Sequence, residues 1–195
     1  MNSKLIKTLL IFIGYVFFTN ILGLILKLVG INNNVTTMFI SDLIYTLIVI
    51  KSYKSDLQKE FKEYKKQKSK IKNILSWVLI LFGTNILFSL ILKLMIPQLN
   101  SLDNNSESLV QLFEISTIYT FFKTLLYAPV IEELVFKKSI RDIINNDIAF
   151  VLISSSIYTI MNFIYTSSIP KYMYFDIIQY FTFSSILSIA YIKNK

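Results

Sequence analysis

The chain has 195 residues, 54% of them hydrophobic and only 16% charged, with a net charge of +8. That balance excludes a water-soluble globular domain of this size, whose surface needs far more charge, and makes lipid the solvent for most of the chain. It holds neither cysteine nor histidine, which excludes disulfides, thiolate metal sites, a cysteine nucleophile and any imidazole chemistry.

A bilayer-spanning helix needs roughly 20 mainly apolar residues. The first candidate, Leu5 to Val29, follows Lys4 and Lys7. It is too long for a signal-peptide core and no small-residue cleavage site follows it, so it is expected to stay as an anchor. A turn at Gly30-Ile31-Asn32-Asn33-Asn34 leads to the second span, Thr36 to Ile50. Next comes Lys51 to Lys72, with nine lysines against Asp56, Glu60 and Glu63. Excess Lys and Arg marks a cytoplasmic loop, so this loop and the N-terminus are expected inside, and the basic charge points to no nucleic acid. Leu57, Phe61 and Tyr64 recur there at helical spacing, which fits either an amphipathic helix on the inner membrane surface or a solvated helical hairpin.

The third span, Ile74 to Met95, ends near Pro97. Gln98 to Ser108 reads as an outer loop, because the stretch between Lys93 and Lys123 holds Asp103, Glu107 and Glu114 and no basic residue. Three further spans are expected, about Tyr119 to Phe136, Ile148 to Tyr165 and Tyr172 to Ile192. The fold class is therefore all-α, a polytopic transmembrane bundle of about six spans. Along the chain it divides into residues 1–50 with two spans, the basic loop 51–72, the third span and outer loop 73–112, and a C-terminal part 113–195. Asp42, Asn85 and Asp176 fall inside apolar spans, where each either lines a cavity or reaches toward an interface. Abundant Tyr and Phe near span ends fit an interfacial belt.

Glu132 and Glu133 interrupt the fourth span. With Lys123 at the outer interface and Lys137 and Lys138 at the inner one, both lie within the hydrocarbon, where an isolated carboxylate costs about 2.5 kcal/mol or more. Alternatively the helix is shifted so that both reach the cytoplasmic surface, with Glu133 and Lys137 forming an i,i+4 pair. Pro129, one turn earlier, removes an N–H and is expected to kink the helix.

Ala128-Pro129-Val130-Ile131-Glu132-Glu133-Leu134-Val135-Phe136-Lys137 resembles the first signature of the CPBP intramembrane proteases, also called the Abi or type II CAAX prenyl protease family. In that family the pattern is Glu-Glu-x-x-x-Arg, often preceded by Ala-Pro and with Phe before the Arg. The continuation Lys138-Ser139-Ile140-Arg141-Asp142-Ile143 and the next span, Phe150 to Tyr165, look like the family's bacterial members in Gram-positive lineages, and the likeness covers roughly Phe113 to Lys195. It implies a CPBP/Abi-like core and a bacterial cell membrane. The second family signature, Phe-x-x-x-His, falls on Tyr158-Thr159-Ile160-Met161-Asn162, where Asn replaces His. The third lies on a further helix that would start about where Tyr191 to Lys195 stands. In the first, Lys137 replaces Arg.

What the resemblance implies is peptide-bond hydrolysis in the membrane, with a buried glutamate taking a proton from water. Glu132 carries over as that base, Glu133 as its brace through Lys137, and Asn162, with Tyr158 at the aromatic position, as an amide donor toward Glu132 or an oxyanion. Asn162 alternatively just bonds across a helix interface. An amide cannot shuttle a proton or give a metal an imidazole, and a carboxylate and amide set is unlike the sites zinc prefers. No cofactor is therefore expected, and zinc least of all. These substitutions imply weak or lost peptidase activity. Three functions follow: an endopeptidase acting on a membrane-embedded or prenylated peptide, a non-catalytic peptide-binding or bacteriocin-immunity protein, and a small transporter or assembly subunit whose carboxylates relay protons or pair with a partner helix.

Overall fold

The computed structural model describes residues 3–66, 70–95, 111–163 and 173–194. The expected outer loop from Gln98 to Ser108, with Asp103 and Glu107, lies outside the described residues, as do the expected span ends at Tyr165 and Tyr172. Among the described residues the chain is helical and holds no strand.

Among the described residues, four helices are long and apolar enough to cross a membrane: Lys4–Leu28, Asn34–Ser52, Lys72–Ile91 and Met173–Lys193. A fifth apolar helix, Asp147–Phe163, is shorter. Their outward faces support lipid as solvent. Leu24 is 66% exposed, Phe82 65% and Leu87 61%, and exposed apolar surface on this scale is not tolerated by a monomer in water. Between Lys72 and Ile91 the apolar residues are spread round the helix with no polar face, the pattern of a membrane span or a deeply buried helix.

The helices fall into two compact units, Met1–Ser55 with Ser101–Ile143, and Asp56–Asn100 with Ile144–Lys195. The C-terminal stretch 113–195 thus contributes to both.

The first unit begins with α1 (Ser3–Leu28) and α2 (Asn34–Ser52). Gly30, at φ 95°, closes α1, with its N–H on the Lys27 carbonyl and that of Ile31 on the Leu26 carbonyl, both at 3.0 Å. This is a Schellman ending, whose left-handed residue is cheapest as glycine. Asn33 then caps α2 by accepting the Thr36 N–H at 3.0 Å. The two helices form an antiparallel hairpin. At Gly14 the contact is tight, since a Cβ there would stand 2.9 Å from Cε2 of Tyr45. Glycine there lets the Tyr45 ring lie against the α1 backbone and donate its hydroxyl to the Ile11 carbonyl at 2.7 Å.

The third helical stretch of this unit is not one regular helix. Ser116 caps α5 (Thr117–Phe122), a wider π-helical turn follows at Lys123–Tyr127, then α6 (Ala128–Glu133), a second π-turn at Leu134–Lys138, and α7 (Ser139–Arg141). Where a kink was expected from Pro129, the backbone widens in the preceding turn. Proline offers no N–H to the carbonyl four residues back and crowds it, and the Ala128 N–H reaches back five residues to Lys123. At the second π-turn the Ser139 N–H takes the Leu134 carbonyl. The Val135 carbonyl, which an α-helix would give to that N–H, accepts the Ser139 hydroxyl instead.

The second unit holds α3 (Lys54–Lys66) in large part, α4 (Lys70–Met95), α8 (Asp147–Phe163) and α9 (Met173–Lys193). The basic loop is helical over α3, with the sharpest separation of apolar and polar residues of the described helices. Antiparallel α8 and α9 meet along small residues: the Ser154 and Ser188 hydroxyls stand 3.3 Å apart, and Ser185 donates to Ser155 at 3.1 Å. Small side chains let helix backbones approach closely in a lipid solvent. Asn85 on α4 finds its partner in Gln179 of α9, whose Nε2 donates across 3.4 Å.

Candidate functional site

The expected catalytic glutamates sit in the last turn of α6, between the two π-turns. Such turns are uncommon and recur at functional sites, because the extra residue per turn redirects side chains. Glu132 is half-buried and Glu133 exposed, while the flanking Ile131 and Leu134 are buried. Lys137, one turn on, is only 2% exposed, and both carboxylates act electrostatically on its ammonium. The structure therefore gathers Glu132, Glu133 and Lys137 at one place. Lys137 is held there by a buried stretch from Leu134 to Ile140. Within it, Phe136 meets the Phe12 and Tyr15 rings of α1 edge-on, at 5.8 and 5.1 Å between centroids. Thr8 of α1 donates its hydroxyl to the Ser139 carbonyl at 3.0 Å.

Tyr158 and Asn162 belong to the other unit, on α8. Asn162 is half-buried in the last turn, and its Nδ2 donates to the Tyr158 carbonyl at 2.8 Å. One of its two amide hydrogens thus serves its own helix, in the i to i−4 fashion of polar side chains in apolar helices. The Tyr158 ring lies 6.5 Å from that of Tyr180.

Sequence reasoning singled out Asp42 within an apolar span and gave it no partner. Asp42, 4% exposed on α2, accepts from Thr19 of α1 at 3.2 Å and from the Tyr119 hydroxyl at 2.7 Å. Lys123 lies within electrostatic reach of the same carboxylate, 5.7 Å from the Tyr119 ring. Three helical segments are thus joined at one carboxylate. The signal for Thr19 was the hairpin itself, since folding the chain about Gly30 brings residues 19 and 42 level. Nothing local pointed to Tyr119.

At the opposite end of this unit Tyr53 is buried under two cations: the Lys7 ammonium stands 3.6 Å from its ring centroid and that of Lys138 5.8 Å. The start of α1, the end of α2 and the second π-turn therefore meet at one level.

No three metal-ligating side chains come together among the described residues. Glu132 and Glu133 alone, without an imidazole, do not make the three- or four-ligand site that zinc requires. No family model, no curated protein and no solved structure matches the chain.

Proposed function

We propose that this protein is a membrane-embedded helical bundle of the CPBP type, with about six spans, that keeps the family's carboxylate pair and has weak or lost peptidase activity. The observation that carries this reading is the Glu132-Glu133 pair beside buried Lys137, set between two π-turns of one helical stretch. An ionisable pair in such a segment is a functional site by default. Glu132, half-buried, is suited to take a proton from a water molecule. Turnover also needs a group to stabilise the oxyanion and to protonate the leaving amine. The chain has no histidine, so no imidazole fills either role, and one Asn162 amide hydrogen is bonded to Tyr158. Removing one such group commonly lowers rates by several orders of magnitude.

The orientation in this reading places the N-terminus and the Lys51 to Lys72 loop in the cytoplasm. Its support is the grouping of Lys7 and Lys138 about Tyr53 at one end of the first unit, an end that the positive-inside rule favours in the cytoplasm. Purified protein in proteoliposomes, incubated with a prenylated CAAX peptide and with single-span membrane peptides, tests the assignment. No product above that of Glu132→Gln is expected. Product that disappears in Glu132→Gln makes the protein an active peptidase.

The Asn162 bond to its own helix also favours a second reading, a protein that binds a membrane-active peptide such as a bacteriocin and does not cut it. Protection conferred on a sensitive bacterium should then survive Glu132→Ala.

A further inference from the structure

A groove of about 510 Å³ runs along the seam of α1 and α2, within the ~300–1,000 Å³ of small-molecule sites. Its α1 wall extends from Ile6 to Phe18, roughly 18 Å at 1.5 Å per residue. That is close to the depth of one leaflet, half of a hydrocarbon core about 30 Å thick. Leu10, Phe18 and Ile48 make it apolar, and its middle lies where Gly14 admits the Tyr45 ring.

One end differs. Lys7 and Ser52 line it, and Lys7 is the only charged residue among the described lining residues. Its ammonium is fixed over the Tyr53 ring, with that of Lys138 near the same ring. An apolar channel one leaflet deep, open along its length and ending in held positive charge, complements an amphiphile with an anionic head and a hydrocarbon tail. Leu10 and Ile48, 64% and 45% exposed, form walls that an acyl chain reaches directly from the bilayer.

We propose that this groove binds one acyl chain of an anionic phospholipid, with the phosphate at Lys7. The site requires only that α1 and α2 lie in a membrane, and it makes no use of Glu132 or Glu133. The tail gains by covering apolar surface, and the head gains about 1 kcal/mol for a lysine near the membrane surface, equivalent to about five-fold in affinity.

The test is native mass spectrometry of the full-length protein in mild detergent, titrated with dioleoylphosphatidylglycerol or with dioleoylphosphatidylcholine of identical tails. The wild type should retain one phosphatidylglycerol in preference to phosphatidylcholine. Lys7→Gln should lower that preference about five-fold, Lys7→Arg should keep it, and Ile48→Trp, on an exposed wall, should weaken both lipids alike. Equal retention of the two lipids by the wild type, an unchanged preference in Lys7→Gln, or unchanged retention in Ile48→Trp overturns the proposal.

Discussion

Tyr119 donates its phenolic hydrogen to Oδ2 of Asp42 across 2.7 Å, while Thr19 holds Oδ1 from the other side at 3.2 Å. Hydrogen bonds between membrane helices contribute on average ~0.6 kcal/mol, and bonds to charged groups reach ~1.5–3. Tyr119→Phe is therefore expected to lower stability by about 1–2 kcal/mol. Asp42→Asn, which keeps one carbonyl acceptor, should lose less than Asp42→Leu, which removes the acceptor from both donors. Unfolding of the purified variants in a single detergent measures this. A Tyr119→Phe protein as stable as the wild type would show that the bond carries no weight.

Gly14 and Gly23 lie on the same helix and predict opposite results. A Cβ at position 14 meets the Tyr45 ring at 2.9 Å, whereas nothing stands within 4 Å of one at position 23. Gly14→Ala should displace Tyr45, strain its bond to the Ile11 carbonyl, and cost about 1–3 kcal/mol as an overpacked contact. Gly23→Ala should be neutral or stabilise by up to about 1 kcal/mol, through helix propensity alone. The same unfolding measurement compares them, and similar effects at the two positions would contradict the packing described.

Much of the helical layout was legible because lipid demands a simple pattern. The apolar runs around Leu5 to Val29 and Thr36 to Ile50 became α1 and α2 within a few residues, and Gly30 with Asn33 marked the turn. The stretch from Thr117 to Arg141 was harder. Pro129 announced a disturbance, yet a wider turn answers a missing N–H as well as a kink does, and the second π-turn ends on Ser139, a residue with no distinctive local signature. The glutamates and Lys137 stood out because charge is rare in such a segment. Asp42 stood out too, but its partners Thr19 and Tyr119 lie on other helices, so only the tertiary packing reveals them. The amide of Asn162 turns back to Tyr158, a choice between helix and interface that spacing leaves open.

The chain has no cysteine, so single substitutions report orientation without a background. Ser55→Cys, within the basic loop, should react in intact cells only with a membrane-permeant maleimide. Ser101→Cys, in the acidic stretch, should also react with an impermeant one. The reverse labelling pattern would invert the orientation and place Lys7 and Lys138 outside.

The initial rate of peptide cleavage by wild type against Glu132→Gln, in the same proteoliposomes and at equal protein, bears most directly on the central claim that the carboxylate pair persists without efficient turnover. Equal rates, both at the level of protein-free vesicles, are predicted for prenylated and single-span peptides. A wild-type rate well above background that falls by orders of magnitude in Glu132→Gln, as loss of a catalytic base produces, would contradict it.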